Sequence, residues 1–267
     1  MATPTFDRSA AFAAVGEVAD RLLAMVATIP DTGTRVPASP EWTIADAFAH
    51  VATVAPRYGQ GARHEGEWVA VDALADLNAR QIAALPSTDT RASAELLRTS
   101  LAELNPLINS FGDAQPVYAF HGGGMIGADV ALGILLGELV VHGHDIARAA
   151  GRPWPIAPAH VELIMQGLTP ILPTWLDADR ARGHTGRYEV RLRGQGVHRF
   201  AFEDGDLRMD PPGAFRPDVV VSADPEAFLL VTFKRASQWP AIATGRLVAW
   251  GRRPWLALTF ASRFHQP

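Results

Sequence analysis

Apolar residues recur every three to four positions along most of the first 180 residues, then every second position after Gly186. The first spacing belongs to amphipathic helices and the second to half-buried strands. A first helix is predicted over Phe6 to Ile29, with Phe12, Val15, Val18, Leu22, Leu23 and Val26 on one face and a stop before Pro30-Asp-Thr-Gly33. A second runs from Thr43 to about Gly61, where Thr43 and Asp46 resemble a capping box with Asp in the usual Glu place. A third is expected over Trp68 to Leu85, ending before Pro86, and a fourth over Thr90 to Ile108 with Leu96, Leu97, Leu101 and Leu104 as its stripe. A fifth extends from near Ile126 to before Gly151-Arg-Pro-Trp-Pro. A sixth covers about Pro158 to Asp179 and is kinked or split by Pro170 and Pro173.

Alternation begins with Tyr188-Glu-Val-Arg-Leu-Arg193, which Gly194-Gln-Gly196 connects to Val197-His-Arg-Phe-Ala-Phe202 as a hairpin. Further strands are expected at Asp218 to Ser222 and near Arg246 to Trp250, with helices at Pro225 to Phe233 and Pro254 to Phe264. The fold class is therefore α plus α+β: a helical-bundle domain over residues 1–182, then a small α+β domain over 183–267.

Composition narrows the chemistry. An apolar share of 48% supports globular folding, and no apolar run is long enough for a membrane span. The opening Met-Ala-Thr-Pro-Thr-Phe-Asp lacks the basic and apolar regions of a secretory signal, so a cytoplasmic protein is expected. Net charge is −4 with scattered arginines, so neither nucleic acid nor membrane is an expected partner. With no cysteine, thiolate zinc ligands and cysteine nucleophiles are excluded, and any thiol chemistry requires an external thiol.

Glu138 and His142 are the most informative polar pair. They lie four residues apart in an otherwise apolar helix, where neighbouring turns bring their side chains together. His50, beside the apolar stripe of the second helix, is a third potential ligand. Two His and one Glu suit a catalytic zinc that keeps a fourth position for water or substrate. From spacing alone two readings stand: a metal site, or histidines satisfied within the core or at the surface.

Asp145, three residues after His142, either hydrogen-bonds a ligand histidine or stabilises an interhelical contact. Arg57 lies almost two turns beyond His50 on the same face, either to receive a substrate carboxylate or as a solvated arginine at the bundle edge. His144 projects to another side of its helix and is not expected to be a ligand. His121-Gly-Gly-Gly124 has the composition of a lipase oxyanion loop, but no G-x-S-x-G accompanies it. The glycines then serve entry into the fifth helix, and His121 either faces a cleft near the metal or is structural.

Trp42-Thr-Ile-Ala-Asp46 leading into Ala49-His50-Val51, together with Gly137-Glu138-Leu-Val-Val-His142-Gly-His-Asp145, resembles the mycothiol-dependent maleylpyruvate isomerase family of the DinB-like group. Pro217-Asp-Val-Val-Val-Ser-Ala-Asp-Pro-Glu-Ala-Phe-Leu-Leu230 and Gly245-Arg246-Leu-Val-Ala-Trp-Gly251 resemble the sterol carrier protein type two-like domain that often follows it. The resemblance implies that His50, Glu138 and His142 bind a divalent metal, usually zinc, and that mycothiol is the thiol cosubstrate. The expected enzyme, a monomer or homodimer, adds that thiol to an electrophilic small molecule, as an isomerase or an S-transferase. Arg57, His121 and Arg246 are the expected substrate-binding residues. Ile134-Leu-Leu-Gly137 departs from relatives that carry an arginine just before the metal-binding Glu. The alternative is a non-catalytic binding protein for a small molecule or lipid, with a structural metal.

Overall fold

The computed structural model describes residues 6–85 and 90–265. It divides into two compact units, Met1–Ile156 with Leu163–Leu168, and Ala157–Glu162 with Thr169–Pro267. No helix among the described residues is long and apolar enough to cross a membrane.

The first unit contains α1 (Arg8–Val26), β1 (Arg35–Val36), β2 (Ser39–Thr43), α2 (Ile44–Ala62), α3 (Leu74–Ala83), α4 (Thr90–Ser110), β3 (Val117–Ala119), β4 (Met125–Gly127) and α5 (Ala131–Ala149). α2 packs on α4 and α5, and α1 packs on the same two, which closes a four-helix bundle. Its core holds Leu22, Ile44, Phe48, Leu97, Ile108, Leu132, Leu135 and Leu136.

Three sequence expectations change here. The third helix is shorter than Trp68 to Leu85: a 3₁₀ turn at Val71–Ala73 precedes α3, and 67–70 carry no regular structure. The expected stop at Pro86 lies outside the described residues. The fifth helix starts at Ala131 rather than near Ile126, because Met125–Gly127 pairs with Val117–Ala119 as an antiparallel hairpin. The glycines after His121 therefore turn a hairpin and do not open a helix. Gly122 and Gly123 adopt φ of 84° and 86°, a region that a side chain disfavours.

The α6 helix (Pro158–Leu168) ends just before Pro170, and a 3₁₀ turn at Leu172–Trp175 and α7 (Ala178–Ala181) follow. Its 163–168 stretch approaches α5 within the first unit. A Cβ on Gly133 would stand 2.4 Å from the Leu163 carbonyl oxygen and 2.9 Å from the Gly167 Cα, so only glycine permits this crossing. Farther along α5, the Trp154 ring fills the space above Gly143, and its indole N–H donates to the Val140 carbonyl at 3.0 Å. These contacts fix the helix that carries Glu138 and His142.

The second unit is built on a five-stranded sheet in the order β7-β6-β5-β8-β9, from β5 (Gly186–Leu192), β6 (Val197–Glu203), β7 (Asp206–Met209), β8 (Val219–Ala223) and β9 (Leu247–Gly251). All neighbours are antiparallel except β5 and β8. α8 (Pro225–Thr232) and α9 (Gln238–Ala243) complete it, and Tyr188, Phe200, Phe202 and Phe260 form an aromatic core cluster. The segment expected as a helix from Pro254 to Phe264 is instead two 3₁₀ stretches, Pro254–Thr259 and Ala261–Arg263.

Candidate metal centre

The start of α2 is set by its own cap. Thr43 Oγ1 accepts from the Asp46 N–H at 3.2 Å, and the Asp46 carboxylate accepts from the Thr43 N–H at 2.9 Å. This reciprocal pair satisfies two backbone donors that a helix start leaves free. It also places Trp42, the last residue but one of β2, beside the helix. Its ring centroid lies 5.0 Å from that of His50 and 6.1 Å from that of His142.

His50 and Glu138 meet across the contact between α2 and α5. Oε2 of Glu138 stands 3.4 Å from Nε2 of His50 and 3.3 Å from Nε2 of His142, and one donor atom from each of the three residues lies within 4.8 Å of the others. A tetrahedral ion with ligands at about 2.05 Å separates its donors by about 3.3 Å. The His–Glu spacings match that edge, and the donor set of two imidazoles and a carboxylate is one that zinc accepts in catalytic sites, so these residues fit the ion. The cluster is sealed at His50, whose side chain is 5% exposed, and open at Glu138, at 25%.

The charges of the three groups are coupled. Burial pushes the His50 imidazole down to about 4, aided by the positive charges of His142 and Arg57 and opposed by Glu138. Burial also lowers His142, but the Asp145 and Glu138 carboxylates outweigh it and raise the imidazole to about 9. For Glu138 burial acts upward, and the hydrogen-bonding imidazoles of His142 and His50 overcome it, holding the carboxyl well below its ordinary range. Near neutral pH, without a metal, the cluster is one carboxylate, one imidazolium and one neutral imidazole.

Asp145 is 2% exposed, and its Oδ2 lies 3.6 Å from Nδ1 of His142. A carboxylate on the far nitrogen of a ligand histidine orients the ring and raises its basicity. His144 lies two residues along on another side of α5, outside the cluster.

Arg57 is buried, at 6% exposure, rather than solvated. Its Nε and Nη2 donate to Gln81 Oε1 at 2.9 and 2.6 Å, and Nη2 donates to Asn78 Oδ1 at 2.7 Å. Asn78 and Gln81 were not among the expected site residues. The signal available was their i, i+3 spacing on the third helix, which looks the same as an ordinary polar edge.

His121 is also buried, at 3%. Its Nδ1 accepts from the Val69 N–H at 3.2 Å, and the Gly122 N–H donates to the Val69 carbonyl at 3.0 Å, which ties the hairpin tip to the 68–70 segment. The ring lies 4.8 Å from Trp68. Burial, reinforced by Arg57, lowers its pKa to about 4, so it is neutral at physiological pH.

Arg246 belongs to the second unit. Its Nη2 contacts Asp224 Oδ1 and Glu226 Oε2, each at 2.6 Å.

A family profile described as the mycothiol maleylpyruvate isomerase N-terminal domain matches residues 15–147, and one described as the SCP-2 sterol transfer family matches residues 172–251. Among solved structures, the chain is similar to a mycothiol-dependent maleylpyruvate isomerase, at 16% identity and a TM-score of 0.55, covering 88% of this chain and 93% of that one. It is also similar to a histidine-to-alanine mutant of such an isomerase, at 15% identity and a TM-score of 0.54, covering 88% and 94%. No curated protein matches. With both domain profiles present in order and the fold shared along most of its length, this chain belongs to the mycothiol-dependent maleylpyruvate isomerase family.

Proposed function

We propose that the protein is a zinc-dependent enzyme that activates mycothiol for addition to an electrophilic small molecule, as an isomerase or a thiol S-transferase. The observation that carries this reading is the spacing of 3.4 and 3.3 Å from Glu138 Oε2 to the two imidazole nitrogens. His50, Glu138 and His142 would hold the ion, and Asp145 would orient His142. The chemistry supplied by bound zinc is Lewis acidity at its open position, where a thiol loses its proton near neutral pH.

The surrounding residues shape the reaction space. The Trp42 ring lies against both imidazoles, with centroids 5.0 and 6.1 Å away, while the partly exposed Glu138 leaves one approach. Arg57 and His121 are assigned to substrate binding along that approach. Arg246, in the second unit, is held by the Asp224 and Glu226 carboxylates. In an isomerase the thiol sulfur bonds to a conjugated cis alkene, the adduct rotates about the new single bond, and elimination returns the trans alkene and the thiol. In a transferase the adduct leaves as product. A cytoplasmic setting, which keeps small thiols reduced, suits either outcome.

The test is to incubate zinc-loaded protein with mycothiol and conjugated cis-alkene carbonyl compounds, following thiol consumption and alkene geometry separately. Wild type is expected to turn over and Glu138→Gln to lose at least about 100-fold, the loss of about 3 kcal/mol of transition-state stabilisation. Equal rates in the two proteins would refute the assignment.

One observation favours a second reading. The second unit holds a cavity of about 420 Å³ lined by Val190, Val221, Phe228, Leu247, Trp255 and Phe260 among others, a size and character suited to an apolar ligand. Saturable quenching of tryptophan fluorescence by an aliphatic probe, without thiol turnover under any condition, would favour a binding protein.

A further inference from the structure

The two imidazoles of the metal centre are supported differently. His142 presents Nε2 to Glu138 at 3.3 Å and turns Nδ1 toward the buried Asp145 carboxylate at 3.6 Å, so each of its ring nitrogens faces an acceptor. His50 presents Nε2 to the same Glu138 oxygen at 3.4 Å, but its Nδ1 is buried and has no hydrogen-bond partner among the described residues. One ring is oriented from both ends and the other from one.

The difference matters once a cation occupies the centre. A neutral ring that ligates through Nε2 carries its proton on Nδ1, and a ligand histidine ordinarily donates that N–H to a carboxylate, a backbone carbonyl or a water. On His142 the N–H points at Asp145. On His50 it is buried without an acceptor, a penalty equivalent to about 5 to 150-fold in affinity.

The His50 ring is held by packing instead. Its centroid lies 5.0 Å from that of Trp42, with the ring planes 38° apart. The same indole reaches His142 at 6.1 Å, and the two imidazoles meet edge to face at 4.7 Å and 77°. Aromatic rings at these separations attract one another beyond the area they bury.

Trp42 is in turn tied to the start of α2. It immediately precedes the Thr43 cap, and the backbone after it is pinned where the Ile44 N–H donates to the Thr34 carbonyl at 2.9 Å and the Ala45 N–H donates to the Thr32 carbonyl at 3.0 Å. On its other side Arg35 Nη1 donates to the Glu41 carbonyl. The indole is therefore anchored independently of the ring it touches, which follows eight residues later in the chain.

These supports rank the arms of the centre. Glu138 and His142 lie on one helix, α5, with Asp145 beside them. His50 comes alone from α2.

We propose that Trp42 is the positioning residue for His50, holding the ring in its ligating orientation by packing where a hydrogen-bond acceptor is missing, and that α2 is in consequence the weaker arm of the metal centre. The proposal rests on the metal reading above and names the arm that limits how tightly the ion is held.

The experiment measures zinc affinity by chelator competition in wild type and in Trp42→Phe, Trp42→Leu, His50→Ala and His142→Ala, with circular dichroism in parallel. Trp42→Leu is expected to weaken zinc binding by about 5 to 30-fold with helical content unchanged, and Trp42→Phe, which keeps an aromatic ring, to stay within about threefold of wild type. His142→Ala is expected to lose about 5 to 10-fold more affinity than His50→Ala. In the His50→Ala background Trp42→Leu changes affinity by less than about twofold, because the indole then has no ring to position, whereas a merely structural role would weaken both backgrounds alike. Nitrogen–proton NMR reads the zinc-loaded wild type directly: the His142 Nδ1–H is expected at low field, hydrogen-bonded to Asp145, and the His50 Nδ1–H is expected without that shift. Low-field signals from both rings, wild-type affinity in Trp42→Leu, or an equal loss in both backgrounds would overturn the proposal and leave the metal centre in place. Zinc affinity unchanged in both His50→Ala and His142→Ala would overturn the metal reading and the proposal with it.

Discussion

Oε2 of Glu138 lies 3.4 Å from Nε2 of His50, a contact between two residues far apart in the chain that the packing of α5 on α2 brings together. His142 completes the arrangement from the same face of α5, 3.3 Å from the same oxygen. Neither helix makes the site alone. Anything that shifts the crossing of α2 and α5 is therefore expected to separate the donors before it unfolds the bundle.

The protonation pattern predicts how metal affinity depends on pH. Without metal, His142 holds its proton up to about 9, His50 is neutral above about 4, and Glu138 is ionised throughout. Metal and proton compete for His142, so binding releases about one proton and affinity rises by about tenfold per pH unit across neutral pH, levelling off above about 9. Chelator competition at about pH 6, 7 and 8 measures this slope. A flat profile would mean that His142 is not the protonated ligand.

Asp145 is expected to tune His142 rather than bind metal. Replacing it by Asn keeps the shape and removes the charge that supports the ring, so Asp145→Asn should lower metal affinity by about 10 to 100-fold with helical content unchanged. Competition with a chromogenic chelator, alongside circular dichroism, checks this. Wild-type affinity in the variant would leave Asp145 as a packing residue.

The crossing at Gly133 makes a stability prediction. An added Cβ would meet the backbone of Leu163 at 2.4 Å, and backbone cannot move aside as a flexible side chain does. Gly133→Ala should cost about 1 to 3 kcal/mol by overpacking, read from the denaturation midpoint. Gly151→Ala makes an instructive comparison, because φ at Gly151 is +65° with no atom near the added Cβ, so any cost there is backbone strain alone. An unchanged midpoint in Gly133→Ala would mean that the helices separate freely at this point.

The parts of the fold that sequence could reveal were those governed by local periodicity. α1, α2 and α4 occur where their apolar stripes predict, and the Thr43–Asp46 cap forms despite the shorter acid. The hairpin of β5 and β6 follows from alternation flanking Gly194 and Gly196. Long-range pairing was not legible: Tyr188 sits opposite Val219 in a parallel pair that no local pattern encodes, and the three-residue strands at 117–119 and 125–127 are too short to carry a period.

The candidate site divides in the same way. The helix faces of His50, Glu138 and His142 were readable, and their donor atoms lie within 4.8 Å of one another; Arg57 follows His50 by seven residues on α2. Its burial was not readable, because that depends on α3 supplying Asn78 and Gln81 from another part of the chain. For His121, the glycines that follow it signalled a turn but not its docking on Val69.

The central claim is that one divalent ion is held jointly by α2 and α5, and metal content measures it most directly. Wild type purified and dialysed against zinc-containing, then zinc-free buffer is expected to retain about one zinc per chain, and His50→Ala, Glu138→Gln and His142→Ala are each expected to retain less than about a tenth of that while keeping helical content. Retention of a full equivalent by all three folded variants would contradict the account.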